Sequence, residues 1–267
     1  MNRIEARFQA LKARGVSAFI PYITAGDPSM ETSEKLVLAL ERAGADVIEF
    51  GVPFSDPVGD GIVIQEAAQR ALLHGASLRK VIASVRAIRK QSQVPLLLFS
   101  YFNPILAYGI EAFARDAAEA GVDGVLCVDL PPDEADDYKL ALDQAGLCTV
   151  FLTAPTTSDD RLRLVGAKCT GFVYYVSRLG VTGEQTALAE GLKAAVGRIQ
   201  CLTGKPVAVG FGISTPEQAE AVAGLAEGVV VGSAIVRVVA QHGHAPDLID
   251  SVETFARSLA QAVKKTT

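Results

Sequence analysis

The chain runs, near its C-terminus, through Val207-Ala208-Val209-Gly210-Phe211-Gly212-Ile213-Ser214-Thr215-Pro216 and then through Val229-Val230-Val231-Gly232-Ser233-Ala234-Ile235. Each stretch leads an apolar strand into glycine and then into the start of a helix. Such a pair is typical of the phosphate site that the last two strands of a βα barrel form at their C-terminal ends. Glycine lets backbone N–H groups approach a phosphate closely, and a helix N-terminus adds partial positive charge, so the pattern needs no Lys or Arg. These residues therefore predict a barrel together with a site for a phosphorylated ligand.

The rest of the chain alternates strands and helices in the same way. Short apolar runs occur eight times, each followed by helical periodicity, at residues 18–23, 47–50, 95–100, 125–128, 149–152, 171–175, 207–209 and 229–231. Apolar strands separated by helices indicate a parallel sheet covered by helices, and eight such units close into a barrel. We therefore predict an α/β protein with one domain over residues 1–267. It is a single (β/α)8 TIM barrel with an extra amphipathic N-terminal helix that carries Ile4, Phe8 and Leu11.

Charge, hydropathy and cysteine spacing argue against a nucleic-acid-binding, membrane-spanning or secreted protein. The formal net charge of -5 at pH 7 argues against a nucleic-acid surface, and no run approaches the roughly 20 apolar residues of a membrane span. The first residues are charged and amphipathic, unlike a secretory signal. Four cysteines stand far apart, at positions 127, 148, 169 and 201, which is typical of reduced residues. We therefore expect a cytoplasmic protein that binds neither nucleic acid nor a membrane.

Glu49 is the clearest candidate for a catalytic residue. It interrupts an apolar strand near the end of that strand, where an inward side chain lies in the top layer of a barrel. Burial there raises the pKa of a carboxyl group and makes it a candidate proton shuttle. The alternative is a structural carboxylate that is paired with a neighbour or turned outward. Asp60 lies beside glycine in the following loop, where Asp usually forms a turn, but next to Glu49 it could supply a second carboxylate.

No histidine or lysine stands at the C-terminal end of a predicted strand, where a metal site, a Ser-His-Asp triad or a Schiff base would need one. His74, His242 and His244 fall in helical or terminal segments, so we predict no metal site and no Ser-His-Asp triad. Lys168 and Lys205 precede strands and so belong to the opposite rim, which leaves no candidate for a Schiff base. The remaining chemistry is carboxylate acid–base catalysis on a phosphorylated substrate, without a metal or covalent cofactor.

Aromatic side chains gather at the C-terminal ends of the predicted strands. They are Tyr22, Tyr101, Tyr174 and Phe211. Each one alone is more typical of ordinary packing. Their shared position at the barrel mouth predicts a flat apolar pocket for the other end of the ligand.

Six motifs occur in an order and spacing that resemble one family of enzymes. They are PYITAGDP at residues 21–28, EFGVPFSDP at 49–57, Asp60-Gly61 with Ile64-Gln65, YFNP at 101–104, SRLGVTG at 177–183 and GFGIS at 210–214. By these motifs, which cover essentially the whole chain, the sequence resembles the tryptophan synthase alpha subunit family. The resemblance implies a carbon–carbon lyase of L-tryptophan biosynthesis that cleaves indole-3-glycerol phosphate to indole and glyceraldehyde 3-phosphate. It also implies that Glu49 and Asp60 are the catalytic pair.

The same resemblance implies which residues hold the substrate. Those assigned to the phosphate are Gly183, Gly212, Gly232 and Ser233. Those assigned to the indole pocket are Tyr22, Phe99, Leu126, Tyr174 and Phe211. Tyr101 joins the pocket through its position after a strand, and Thr182 is expected to close over Asp60 as its loop orders.

Members of this family bind a beta subunit that holds pyridoxal phosphate and consumes indole. The resemblance therefore implies a heterotetramer of two alpha and two beta subunits, with no cofactor in this chain. It implies a partner interface at loops that contain Asp56, Pro57, Asn103 and Pro104. Two alternatives stay open: a stand-alone lyase that releases free indole, and a phosphate-binding subunit that activates a partner without catalysis.

Two positions depart from the family pattern. Gly59-Asp60-Gly61-Ile62 stands where Ala-Asp-Gly-Pro is usual, so we expect a more flexible loop and weaker activity without the partner. Tyr22 stands where phenylalanine is common, and its hydroxyl needs water or a polar partner. Neither change alters the expected reaction.

Overall fold

Eight strands and twelve helices alternate along the computed structural model, which describes residues 1–177, 185–210 and 212–265. The strands are β1 Ala18–Thr24, β2 Ile48–Gly51, β3 Leu96–Ser100, β4 Gly124–Cys127, β5 Cys148–Thr153, β6 Val173–Val176, β7 Val207–Gly210 and β8 Gly228–Val231. The helices are α1 Arg3–Ala13, α2 Met30–Ala43, α3 Ile62–Leu73, α4 Leu78–Ile88, α5 Phe102–Tyr108, α6 Ile110–Ala120, α7 Asp136–Gln144, α8 Asp159–Lys168, α9 Gln185–Thr203, α10 Pro216–Ala223, α11 Ser233–His242 and α12 Leu248–Lys264. Each of the eight predicted strands overlaps an observed strand.

The strands form one closed parallel barrel. Each strand pairs with its neighbour in sequence, and β8 pairs with β1 to complete the ring. Tyr22 of β1 lies opposite Glu49 of β2, and Glu49 lies opposite Leu97 of β3. Because closure leaves no free strand edge and helices cover the outer face, each strand is buried on both sides, which explains the near-continuous apolar runs. The predicted (β/α)8 barrel is confirmed.

Some connections contain two helices where the sequence predicted one. Helices α3 and α4 both lie between β2 and β3, α5 and α6 both lie between β3 and β4, and α11 and α12 both follow β8. Gly109 separates α5 from α6 with a φ of 92°, a conformation that glycine adopts far more readily than other residues.

Helix α1 closes the N-terminal end of the barrel. Its Ile4 and Phe8 are buried in the cluster that fills the barrel interior, and the rings of Phe8 and Phe172 lie 5.2 Å apart. Asn2 caps the helix and donates a hydrogen bond to the backbone oxygen of Asp123 at 2.7 Å. Each fully buried apolar side chain stabilises the fold by about 1.5–3 kcal/mol. The helix is therefore a structural plug, and a ligand has to approach the barrel interior from the C-terminal end.

Helices cover the outer face of the barrel. Outward strand residues such as Ile48, Phe50 and Leu98 belong to one large apolar cluster together with the inner faces of the helices. Helix α12 packs against both α2 and α10. None of the helices in the described ranges has the length and apolar character that a membrane span requires.

Candidate active site

A cavity of about 370 Å³ opens at the C-terminal ends of the strands. It is bounded by strand ends, by the loop and first turn that lead into α3, and by the first turns of α11. The lining residues are Tyr22, Glu49, Gly59, Asp60, Gly61, Ile64, Phe99, Val128, Leu152, Tyr174, Val176, Gly212, Ile213, Val230, Gly232, Ser233, Ala234 and Arg237. This is the end of a βα barrel at which enzymes of this fold place their active sites.

Glu49 faces this cavity from β2. Alternation along the strand turns Ile48 and Phe50 outward to the helices and leaves Glu49 facing inward. The residue is 1% exposed, and its Oε1 atom has no hydrogen-bond partner among the described residues. Burial raises the pKa of this carboxyl group well above its ordinary value. The site therefore favours the protonated form of Glu49 and leaves one of its oxygen atoms available to a ligand.

Asp60 faces the same cavity from the loop between β2 and α3. Burial raises the pKa of its carboxyl group to about 6, and a hydrogen bond from the Tyr101 hydroxyl opposes that rise. The same hydroxyl accepts a hydrogen bond from the backbone N–H of Gly59 at 3.0 Å. Gln65 donates from Nε2 to the backbone oxygen of Asp60 at 2.8 Å. These contacts hold the loop in place with the carboxyl group beside the cavity.

Tyr22 packs into the cavity from β1. Its hydroxyl lies 3.3 Å from Thr24 Oγ1, so the polar partner that this hydroxyl needs is a neighbour on the same strand. Its ring meets Phe99 edge to face, with the ring centres 5.4 Å apart. The side chain also lies directly over Gly51, where a Cβ atom would collide with the ring and the hydroxyl. Burial and then the charge of Asp60 raise the pKa of Tyr22, so the hydroxyl stays protonated.

Backbone rather than side chains forms the part of the cavity at the ends of β7 and β8. Gly212, Gly232 and Ser233 line it there, and we call these three residues the glycine cup. Gly212 has a φ of 76°, which favours glycine at this position. Ser233 begins α11, and the first N–H groups of a helix have no partner within it. The cup therefore presents backbone N–H groups and the positive end of a helix dipole to the cavity.

The structure brings most of the predicted site residues to this one cavity. Those that line it are Tyr22, Glu49, Asp60, Phe99, Tyr174, Gly212, Gly232 and Ser233. Leu126 lies deeper, in the interior cluster against which Phe99 and Tyr174 pack. Tyr101 supports the Asp60 loop instead, and its ring lies 5.1 Å from that of Phe54. Its contribution is to orient a carboxyl group rather than to line the cavity.

Three predicted residues, Thr182, Gly183 and Phe211, lie outside the described residues. Sequence reasoning also missed several lining residues, namely Gly59, Gly61, Ile64, Val128, Leu152, Val176, Ile213, Val230, Ala234 and Arg237. Strand alternation carries a signal for some of them, since Val176 lies two residues beyond Tyr174 on the same face. Arg237 comes from a helix, one turn after Ser233, and strand patterns give no signal for it.

The residues predicted to contact a partner lie on two segments near the cavity, the loop after β2 and helix α5. Two are exposed polar residues and two are half-buried prolines, namely Asp56, Asn103, Pro57 and Pro104. Residues of the same region expose apolar side chains: Val58, Ile62 and Leu106 are 88%, 72% and 55% exposed. Exposed apolar side chains of this size, on segments that also carry the predicted contact residues, are consistent with a contact surface.

Comparison with known sequences gives one family. The family model described as tryptophan synthase alpha chain matches residues 8–264. A tryptophan synthase alpha chain of Geobacter sp. (strain M21) is 50% identical over 265 residues, which cover 99% of each chain. A tryptophan synthase alpha chain of Phenylobacterium zucineum (strain HLK1) is 50% identical over 264 residues, which cover 98% of this chain and 95% of that one.

Comparison with solved structures agrees. Tryptophan synthase subunit alpha from Legionella pneumophila str. Paris superimposes with a TM-score of 0.92 at 40% identity, covering 98% of both chains. A chain of tryptophan synthase from M. tuberculosis in an aminoacrylate-bound form gives a TM-score of 0.88 at 35% identity, covering 99% of this chain and 100% of that one. With its barrel, its cavity and these relatives in agreement, the chain belongs to the tryptophan synthase alpha chain family.

Proposed function

We propose that Glu49 and Asp60 carry out, in this chain, the retro-aldol cleavage of indole-3-glycerol phosphate, which is the lyase reaction of its family in tryptophan biosynthesis. One observation carries the assignment: the buried Oε1 atom of Glu49 has no partner among the described residues, in a cavity that also contains Asp60 and the glycine cup. An unpaired buried polar atom costs about 1–3 kcal/mol of stability. The substrate supplies the missing partner.

The first step is protonation of carbon C3 of the indole ring. Protonated Glu49 donates its proton to C3, and the ring becomes an indolenine with positive charge at its nitrogen. Ionised Asp60 accepts a hydrogen bond from the ring N–H and stabilises that charge. Because the pKa of Asp60 is about 6, this group is mostly ionised at neutral pH.

The second step breaks the carbon–carbon bond. Glu49 is now a carboxylate, and it removes the proton from the hydroxyl on the carbon attached to C3. That C–O bond becomes a carbonyl, and the electron pair of the broken C–C bond returns to the indole ring. Glu49 regains its proton, so one residue is both acid and base and needs no cofactor in this chain. The products are indole and glyceraldehyde 3-phosphate.

The two ends of the substrate meet different surfaces. The phosphate binds the glycine cup, where backbone N–H groups and the α11 dipole favour negative charge. The indole ring packs against aromatic side chains, namely Tyr22, Phe99 and Tyr174. Thr182, Gly183 and Phe211 are assigned to the substrate by the family resemblance alone. Because the substrate binds at both ends, the reacting carbon between the ring and the phosphate is held toward the carboxyl groups.

The chain works, in this proposal, with a beta subunit in a heterotetramer of two alpha and two beta subunits. The partner holds pyridoxal phosphate and consumes the indole. Exposed Val58, Ile62 and Leu106, which lie near the four predicted contact residues, support an interface at this end of the barrel. The four cysteines are free, which is typical of the reducing cytoplasm where we place the complex.

Release of indole by the purified chain, measured with and without a beta subunit, tests this function. We expect slow cleavage by the chain alone and at least about tenfold faster cleavage in the complex, because the partner completes the order of the site loops. Fast release that the partner leaves unchanged favours a stand-alone lyase. Substrate binding without cleavage in either condition favours a non-catalytic binding subunit and contradicts the proposal.

A further inference from the structure

Arg237 lines the cavity, and the steps above give it no role. It is an exposed residue of α11, one helical turn after Ser233 of the glycine cup. Side chains of a helix lean toward the N-terminus of that helix, so Arg237 leans toward the cup. Arg237 and the three residues of the glycine cup therefore line the same part of the chain's C-terminal cavity, on or next to α11 or β7.

Within the described residues, no other group takes up the charge of Arg237. It forms no hydrogen bond or ion pair there, and it is the only cation among the described lining residues. The carboxyl groups among the described lining residues are those of Glu49 and Asp60. A guanidinium group offers paired N–H donors that match the geometry of a phosphate, which a single backbone N–H does not.

We infer that Arg237 binds the phosphate of the substrate as a full cation added to the glycine cup, an inference that rests on the proposed function. A phosphate monoester carries a charge of about -1.5 to -2 at neutral pH, whereas backbone N–H groups and a helix dipole supply only partial charges. Arg237 also offsets the repulsion between this phosphate and Asp60 in one cavity. It is a binding residue, so it determines affinity for the phosphorylated substrate and takes no part in bond cleavage.

The variants Arg237→Gln and Arg237→Lys test this role against a matched control, Arg14→Gln. Arg14 is an exposed arginine at the C-terminal end of α1, at the other end of the barrel. With indole-3-glycerol phosphate, Arg237→Gln is expected to raise KM about tenfold and to change kcat less than about twofold, because the lost contact is present in both the ground and the transition state. Arg237→Lys restores most of the affinity, and Arg14→Gln leaves KM unchanged.

The reverse reaction separates phosphate binding from a general structural effect. Condensation of indole with glyceraldehyde 3-phosphate is expected to show the same rise in KM in Arg237→Gln. Condensation with unphosphorylated glyceraldehyde is expected to match the parental protein. An unchanged KM for the phosphorylated aldehyde, or an equal rise for both aldehydes, would overturn the role of Arg237.

Binding of inorganic phosphate gives a readout that does not depend on cleavage. Titration of the parental chain and of Arg237→Gln is expected to show about tenfold weaker phosphate binding in the variant. If the parental chain fails to cleave indole-3-glycerol phosphate but this difference is present, the proposed function fails and the role of Arg237 stands. If cleavage is normal and both proteins bind phosphate equally, the role of Arg237 fails alone.

Discussion

At the scale of single residues, the two carboxyl groups of the cavity differ in their surroundings. Glu49 is almost fully buried and has an unpaired oxygen among the described atoms, whereas Asp60 is only half-buried and accepts a hydrogen bond from Tyr101. Burial raises the pKa of Glu49 well above its ordinary value and that of Asp60 to about 6, so the two groups favour different protonation states near neutral pH. Glu49 is suited to hold the mobile proton, and Asp60 is suited to stay ionised near neutral pH.

The pH dependence of cleavage tests the ionisation of Asp60. Its pKa is raised to about 6 in the protein without substrate and its role requires the charged form, so kcat/KM should rise with pH through about 6. Tyr101→Phe removes the hydrogen bond that lowers this pKa, so the rise should move to higher pH. The substrate phosphate also titrates near pH 6. The control is Asp60→Asn, which should keep some activity and lose this pH dependence, and a rise that persists there belongs to another group.

At the scale of elements, the strands were predictable from sequence and the helix contributions were not. Alternation with a period of two residues sets which side chains face the barrel, so an acid in an apolar run, Glu49, was predicted to face the cavity. Ile64 and Arg237 reach it because of how α3 and α11 dock against the strand ends, which no local pattern encodes. Tyr101 follows a strand as expected. Its hydroxyl contacts the loop of Asp60, however, so Tyr101 supports that loop and does not line the cavity.

Strands β1 and β2 approach each other closely where the Tyr22 side chain lies over Gly51, and this contact gives a prediction for stability. In Gly51→Ala the new Cβ atom collides with the Tyr22 ring, so the free energy of unfolding should fall by about 1–3 kcal/mol and cleavage should slow as the ring shifts. The matched control is Gly191→Ala on α9, where a Cβ atom meets open space. That change should raise the stability by up to about 1 kcal/mol, because alanine favours a helix. Urea unfolding measures both, and a Gly51→Ala chain as stable as the parent would contradict the close approach.

At the scale of the whole molecule, the contacts that stabilise the barrel and the residues of the candidate active site lie at opposite ends of the barrel axis. The N-terminal end is closed by α1, and the buried carboxylate of Asp123 there accepts a hydrogen bond from the backbone N–H of Leu96 at 2.8 Å and pairs with Arg89. The cavity with both catalytic candidates occupies the C-terminal end. Structural contacts at one end of the barrel and reactive groups at the other are the division of roles expected for this fold.

The substitution Phe8→Ala tests this separation. It empties space beside Phe172 under the barrel, so the free energy of unfolding should fall by about 3–5 kcal/mol. The turnover of the folded protein should change less than about twofold, since the cavity lies at the other end. Phe8→Leu, which fills more of the space, should lose less stability. Denaturant unfolding measures the stability of both variants, and indole release at a temperature where both are folded measures their turnover. A folded Phe8→Ala chain with a large loss of kcat would show that the two ends of the barrel are coupled.

The most direct test of proton transfer by Glu49 is single-turnover cleavage of indole-3-glycerol phosphate by Glu49→Gln, together with the affinity of the variant for the substrate. The amide keeps the shape of the side chain but cannot shuttle a proton. Cleavage should therefore slow by about 10²–10⁴-fold, with affinity within about threefold of the parental value. Cleavage by Glu49→Gln near the parental rate would contradict the assignment of this buried carboxyl group as the acid and base of the reaction.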